Sequence, residues 1–155
     1  MGFGPDGNRL DPALSGNGRY LASVLETGGR ARLILQEQPG GRVIPLRHLR
    51  GREPHSSPSL SWNGRYVALL VQQGPQRLAL LEDRLSGRLV RLPLRGNAMP
   101  VRLSLAPDAT RVALQVVRSG QWQVELLDLS ALVEPDRPGG TPEIGGGAAD
   151  GAAER

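Results

Sequence analysis

Short apolar runs separated by turns rich in Gly, Asn and Ser make up most of this chain, and the runs are too short for stable helices. Tyr20 to Leu25, Tyr66 to Val71 and Val112 to Val117 carry β-branched and aromatic residues, which fit a pleated surface, and they predict strands. Each is preceded by a shorter apolar piece (Ala13 to Ser15, Ser59 to Ser61, Arg102 to Leu105) and a tight turn, Gly-Asn-Gly, Trp-Asn-Gly or Pro-Asp-Ala. The Asn-Gly pairs predict a two-residue hairpin turn with positive φ at both central positions. A second turn at Thr27-Gly28-Gly29, Gln73-Gly74-Pro75 or Ser119-Gly120 leads to a third strand, Ala31 to Gln36, Arg77 to Glu82 or Trp122 to Leu129. The last of these alternates, with Trp122, Val124 and Leu126 on one side and Gln123 and Glu125 on the other. A fourth strand closes the first two units, Arg42 to Leu46 and Arg88 to Leu92, while the third unit lacks a convincing counterpart.

The units are copies of one another. Pro12-Ala13-Leu14-Ser15-Gly16-Asn17-Gly18-Arg19-Tyr20-Leu21-Ala22 recurs 46 residues later as Pro58-Ser59-Leu60-Ser61-Trp62-Asn63-Gly64-Arg65-Tyr66-Val67-Ala68, with eight of eleven positions identical. A degraded third copy follows after a further 45 residues and keeps Leu105, Val112 and Ala113, with Asp108 in place of Asn. Four strands per roughly 45 residues is the size of a β-propeller blade. A four-stranded sheet cannot bury both its faces alone, whereas stacking sheet on sheet covers them. Val67-Ala68-Leu69-Leu70-Val71, apolar on both faces, suits a sandwiched strand. The expected fold is therefore all-β, in four-stranded antiparallel blades of β-propeller type, about three of them, as a half-propeller or an open stack. Residues 1–10 read as an N-terminal stub, 11–133 as the repeats (blades at about 11–50, 56–96 and 101–133) and 134–155 as a separate tail.

The strand–Asn-Gly-Arg–strand pattern, seen in Asn17-Gly18-Arg19-Tyr20-Leu21-Ala22 and Asn63-Gly64-Arg65-Tyr66-Val67-Ala68, resembles the WD40-like (PD40) propeller repeats of the TolB family. Leu126-Leu127-Asp128-Leu129 and Pro39-Gly40-Gly41 fit later positions of that repeat, and Pro5-Asp6-Gly7-Asn8-Arg9 matches the stub of a preceding copy. The resemblance covers about Asp11 to Ser130. It implies a propeller that makes protein–protein contacts in a bacterial cell envelope; such repeats also accompany peptidases. Six-bladed members need twice the repeats found here. A homodimer closing a six-bladed ring, further blades, or an open stack would each answer for the exposed sheet faces.

Composition narrows the chemistry. Gly and Pro number 21 and 13 of 155 residues, which favours many turns, and the absence of Cys removes disulfides and thiol catalysis. All 19 basic residues are Arg, spread along the chain instead of gathered in one run, which weighs against nucleic acid despite the net charge of +4. No stretch approaches the ~20 apolar residues of a membrane helix, and Met1 to Asp11 lacks the regions of a signal peptide. The tail is rich in Gly, Pro, Ala and acidic residues, a composition that predicts disorder.

Few residues suggest a site. The histidines, His48 and His55, lie in one interblade connection, and no Gly-x-Ser-x-Gly elbow accompanies them, so a non-catalytic protein with no cofactor is expected. Asp6, Asn8 and Asp11 lack the ligand spacing of a calcium loop and read as turn formers. Arg47, His48, Arg50 and Arg52 form the densest basic group, suited to an acidic partner or to solvent. Arg88, Arg91 and Arg95 suit protection of an outer strand. Tyr20 and Tyr66 share a repeat position and read as packing anchors. Trp62, which replaces Gly16 in the repeat, is a candidate binding hot spot if it lies exposed. The functional expectation is a scaffold presenting interblade loops to a protein partner, with an accessory propeller of a hydrolase or peptidase as the alternative.

Overall fold

The computed structural model describes residues 7–139. It consists of eleven strands: β1 (Asn8–Leu14), β2 (Tyr20–Thr27), β3 (Arg30–Glu37), β4 (Arg42–Ile44), β5 (His55–Leu60), β6 (Tyr66–Gln73), β7 (Gln76–Asp83), β8 (Leu89–Arg91), β9 (Met99–Leu105), β10 (Arg111–Arg118) and β11 (Gln121–Asp128). They form three antiparallel sheets, ordered β1-β2-β3-β4, β5-β6-β7-β8 and β9-β10-β11, each strand pairing with its sequence neighbour. These are propeller blades, stacked face to face as an open row.

The inner strands start earlier than their apolar pieces suggest. β1 begins at Asn8, so residues 8–10 belong to the first blade and not to a stub; residues 1–6 lie outside the described residues. Polar residues and a bulge hide this part of the strand. The register shifts between Leu10 and Ala13 and again between Ser56 and Ser59, with Asp11 and Ser57 in the left-handed region at φ 52° and 53°. A bulge breaks the alternation that would otherwise mark a strand. These two residues also join the blades. The Asp11 carboxylate accepts the Ser57 N–H at 3.0 Å, and Ser57 Oγ accepts the Leu103 N–H at 2.9 Å.

The first turn of each blade is wider than a two-residue hairpin. Gly18 N–H donates to Ser15 O and Ser15 N–H to Tyr20 O, so the connection spans Ser15 to Arg19. Positive φ falls on Gly18, Gly64 and Ala109 but not on Asn17 or Asn63. The Asn17 side chain instead accepts the Arg19 N–H at 2.9 Å, as Asp108 accepts that of Thr110. Gly64 has a second constraint, because a Cβ there would lie 2.5 Å from Tyr20 Cδ2 across the seam.

Two seams hold the core. Tyr20, Ala22, Leu33 and Leu35 of blade 1 pack against Leu60, Val67, Leu69 and Val71 of blade 2. The opposite face of blade 2, with Tyr66, Ala68, Leu70 and Leu81, packs against Leu103, Leu105, Val112 and Leu114 of blade 3. Among the described residues no fourth strand follows β11. Leu129 is buried, Val133 packs on the second seam, and Glu134 to Gly139 run back over blades 2 and 3. Residues 134–139 are therefore part of the packed structure and not of a disordered tail, because Asp136 is buried between two turns; residues 140–155 lie outside the described residues.

One buried group ties the first seam to pH. His55 of β5 is buried and its Nδ1 accepts the Leu33 N–H of β3 at 2.9 Å, a role open to the neutral ring alone. Burial lowers its pKa against the opposing pull of Glu53. Because the folded value lies below the unfolded one, this contribution is full above about pH 6.5 and declines as pH falls through that value. The denaturant midpoint is expected to drop between about pH 7 and 5, with a shallower slope in His55→Gln. Chemical denaturation across that range checks this, and equal slopes for the two proteins would refute it.

Candidate functional site

The first turns of the three blades line up along one edge of the row. Asn17 N–H donates to Trp62 O at 3.0 Å, and Trp62 N–H donates to Pro107 O at 2.6 Å. Trp62 is half-buried, its ring seated over Gly16, where a Cβ would come within 2.5 Å. The sequence leaves open whether Trp62 is exposed; the fold gives it a packing partner at its own repeat position in blade 1. The large aromatic and the glycine are complementary across the seam.

The returning C-terminal segment clasps the same turns. Asp136 accepts hydrogen bonds from Ser61 Oγ–H (2.6 Å), Asn63 N–H (2.8 Å) and Asn63 Nδ2–H (2.8 Å), and its own N–H donates to Asp108 O. It thereby bridges the turns of blades 2 and 3. Arg65 pairs with Asp83 at 2.9 Å and with Glu134 at 3.0 Å. Hydrogen bonding to Asp83 raises the Arg65 pKa further, so the guanidinium stays charged. Burial acts to raise the Asp83 carboxyl, but hydrogen bonds from Arg65 and Ser86 outweigh it and hold the group below the usual carboxylate range. Burial pushes the Tyr66 phenol up to about 12, and its O–H donates to Glu134 O at 2.7 Å. A phenol held neutral and already bonded is a structural group and offers no nucleophile.

The basic connection is pinned by a carboxylate. Glu82 is buried in β7 and accepts the backbone N–H groups of Arg47 (2.9 Å), His48 (2.7 Å) and Leu49 (3.0 Å). The His48 ring Nε2 lies 2.7 Å from Gly87 O, and the Arg47 guanidinium covers Gly87. Arg47 and His48 are thus brought to the Ser86–Arg88 turn, while Arg50 and Arg52 stand exposed on the rest of the connection. His48 and His55 are not brought together. His55 faces the core and His48 faces the rim, an arrangement without a shared reacting atom. Asp11 is used at the seam, and Asp6 lies outside the described residues. Glu82 and Asp136 do not stand out in the sequence as site residues; Glu82 follows the apolar run Leu78 to Leu81 as an ordinary polar strand end.

Blade 3 leaves its outward face open. Trp122, Val124 and Leu126 of β11 and Met99 of β9 are exposed there. The equivalents of Val124 and Leu126 in the other blades, Leu33 with Ala79 and Leu35 with Leu81, are buried against the next blade. At Val124 and Leu126 the row is thus apolar at positions that the other two blades bury.

No protein-family model matches the chain, and no curated protein sequence matches it. Solved structures share its fold. TolB from Acinetobacter baumannii aligns with a TM-score of 0.63 at 18% identity, over 81% of this chain and 31% of that one. The β-propeller domain of the Trilobed protease from Pyrococcus furiosus, which has an open velcro topology, gives 0.60 at 14% identity, over 84% and 41%. A putative TolB from Agrobacterium tumefaciens gives 0.58 at 13% identity, over 81% and 46%. The chain spans less than half the length of each. At these identities the likeness speaks for the fold, a partial propeller of the kind found in TolB and in other propeller domains.

The Glu82 cluster separates side-chain from backbone roles in the connection. Glu82→Ala leaves three N–H groups without their acceptor and is expected to cost about 2–4 kcal/mol in urea denaturation. Arg47→Ala keeps its N–H bond and is expected to cost less than about 1 kcal/mol. Equal losses would overturn the assignment.

Proposed function

We propose that this protein is a propeller-type scaffold that works through protein–protein contact and not through catalysis. The observation that carries the reading is the apolar row Trp122, Val124 and Leu126, exposed at repeat positions of which Val124's and Leu126's are buried in both other blades. An aromatic and two aliphatics on a rigid sheet lose little side-chain entropy on docking, which suits them to the centre of an interface. Arg50 and Arg52, on a connection pinned by Glu82, supply a second, electrostatic contact that favours an acidic surface and speeds encounter. The likeness to TolB supports a setting in the bacterial cell envelope.

A second reading draws on the propeller domain of the Trilobed protease. There the chain would be the accessory propeller of a hydrolase or peptidase, with catalysis supplied by another domain. Both readings place a protein on the face of blade 3, and they differ in what that protein does.

A photo-crosslinking amino acid placed at Leu126, in the cells that make the protein, tests the contact. Discrete adducts are expected at this position and not at Gln73, which stands exposed at a hairpin tip away from the face. A folded protein that gives no adduct at Leu126 would refute the reading.

A further inference from the structure

The two ends of the blade row are complementary to each other. At each internal seam, the inner strand of one blade lies across the first three strands of the blade before it: β5 contacts β1, β2 and β3, and β9 contacts β5, β6 and β7. One leucine pair recurs in these seams. Leu35 of β3 shares a packed cluster with Leu60 of β5, and Leu81 of β7 shares the other with Leu105 of β9. The remaining members of the two series are Leu126 and Leu14, and among the described residues both lack a partner blade. In the first series exposure runs from 1% at Leu35 and 0% at Leu81 to 63% at Leu126. In the second it is 6% at Leu60, 6% at Leu105 and 60% at Leu14. Blade 3 thus carries the receiving half of a seam, and blade 1 carries the inserting half.

The halves match in sequence as well as position. Pro58-Ser59-Leu60-Ser61, which docks on blade 1, reappears in blade 1 as Pro12-Ala13-Leu14-Ser15. The surface that receives it, Ala22, Leu33 and Leu35, reappears in blade 3 as Ala113, Val124 and Leu126. Resting on the reading that the face of blade 3 is a protein contact, we propose that its occupant is a second copy of this chain. β1 of that copy lies across β9, β10 and β11 of the first, head to tail, and the two copies close on each other through two equal seams. Head-to-tail contacts that close form rings, and those that do not close form filaments. The departures from the internal seam are polar. Arg111 and Gln115 stand where blade 1 has Tyr20 and Val24, and Ser23 and Gln36 stand where blade 2 has Leu69 and Glu82. On blade 1 the exchanged groups already have a polar partner, Arg9, which donates to both Ser23 and Gln36, so that face does not depend on the second copy and the pair is reversible.

Light scattering on the full chain over a range of concentrations tests this. The expected mass rises to twice 16.6 kDa and stops there. Leu126→Arg and Leu14→Arg are each expected to halve it, with unchanged far-UV circular dichroism because both side chains are exposed. Mixing the two variants restores a species of double mass, since each retains the half that the other has lost. A folded wild-type monomer at every concentration overturns the inference. If the adduct at Leu126 then has another mass, the contact reading stands without it; if there is no adduct, both fail. A dimer indifferent to Leu14→Arg shows a face-to-face contact of two third blades and also overturns it. Growth without limit overturns the closed pair.

Discussion

Leu69 and Leu70 are adjacent in β6 and point to opposite sides of one sheet, yet both are fully buried. That requirement, a sheet with two apolar faces, governs the rest of the molecule. A single four-stranded meander has nothing of its own to shield either face, so each blade depends on its neighbours for most of its burial. The polar links follow the same dependence. Asp11, Ser57 and Leu103 connect the inner strands in series, and the first turns pass hydrogen bonds from blade 1 to blade 2 to blade 3. Each link crosses a seam, so the blades are joined by side chains on their inner strands as well as by apolar contact.

Where the repeat departs from itself, it usually serves a seam. Gly16 and Trp62 occupy one position and fit together, as do Gly64 and the ring of Tyr20. Glu82, inside an apolar strand, holds three N–H groups of the connection that crosses to it from blade 1. Asp136 does the corresponding work at the third blade, which has no fourth strand among the described residues and where the chain turns back over the turns of blades 2 and 3. These buried carboxylates are satisfied mainly by backbone and neutral donors. They fix the path of a loop.

The histidines show why composition said little about chemistry. His48 and His55 are seven residues apart, but His48 lies in the connection after β4 and His55 opens β5, so one ring reaches a carbonyl on the rim and the other packs into a seam. The basic cluster divides likewise. Arg47 and His48 lie on the Ser86–Arg88 turn, whereas Arg50 and Arg52 extend from it.

Strand order, blade size and the need for stacking could all be read from the chain, because a repeat of about 45 residues and period-two alternation are local signals. The stripe of Trp122, Val124 and Leu126 was equally visible as a pattern. That it lies bare, while Leu33, Leu35, Ala79 and Leu81 are covered, follows only from the stacking, since alternation specifies that a strand has two faces and not which of them has a neighbour. The early start of β1 was masked by a bulge at Asp11, and the packing of Glu134 to Gly139 was masked by a composition that suggests disorder. Both depend on partners far along the chain: Asp11 on Ser57, and Asp136 on Ser61 and Asn63. A local pattern carries no information about a hydrogen bond 46 or 75 residues away, and tertiary structure alone decides it.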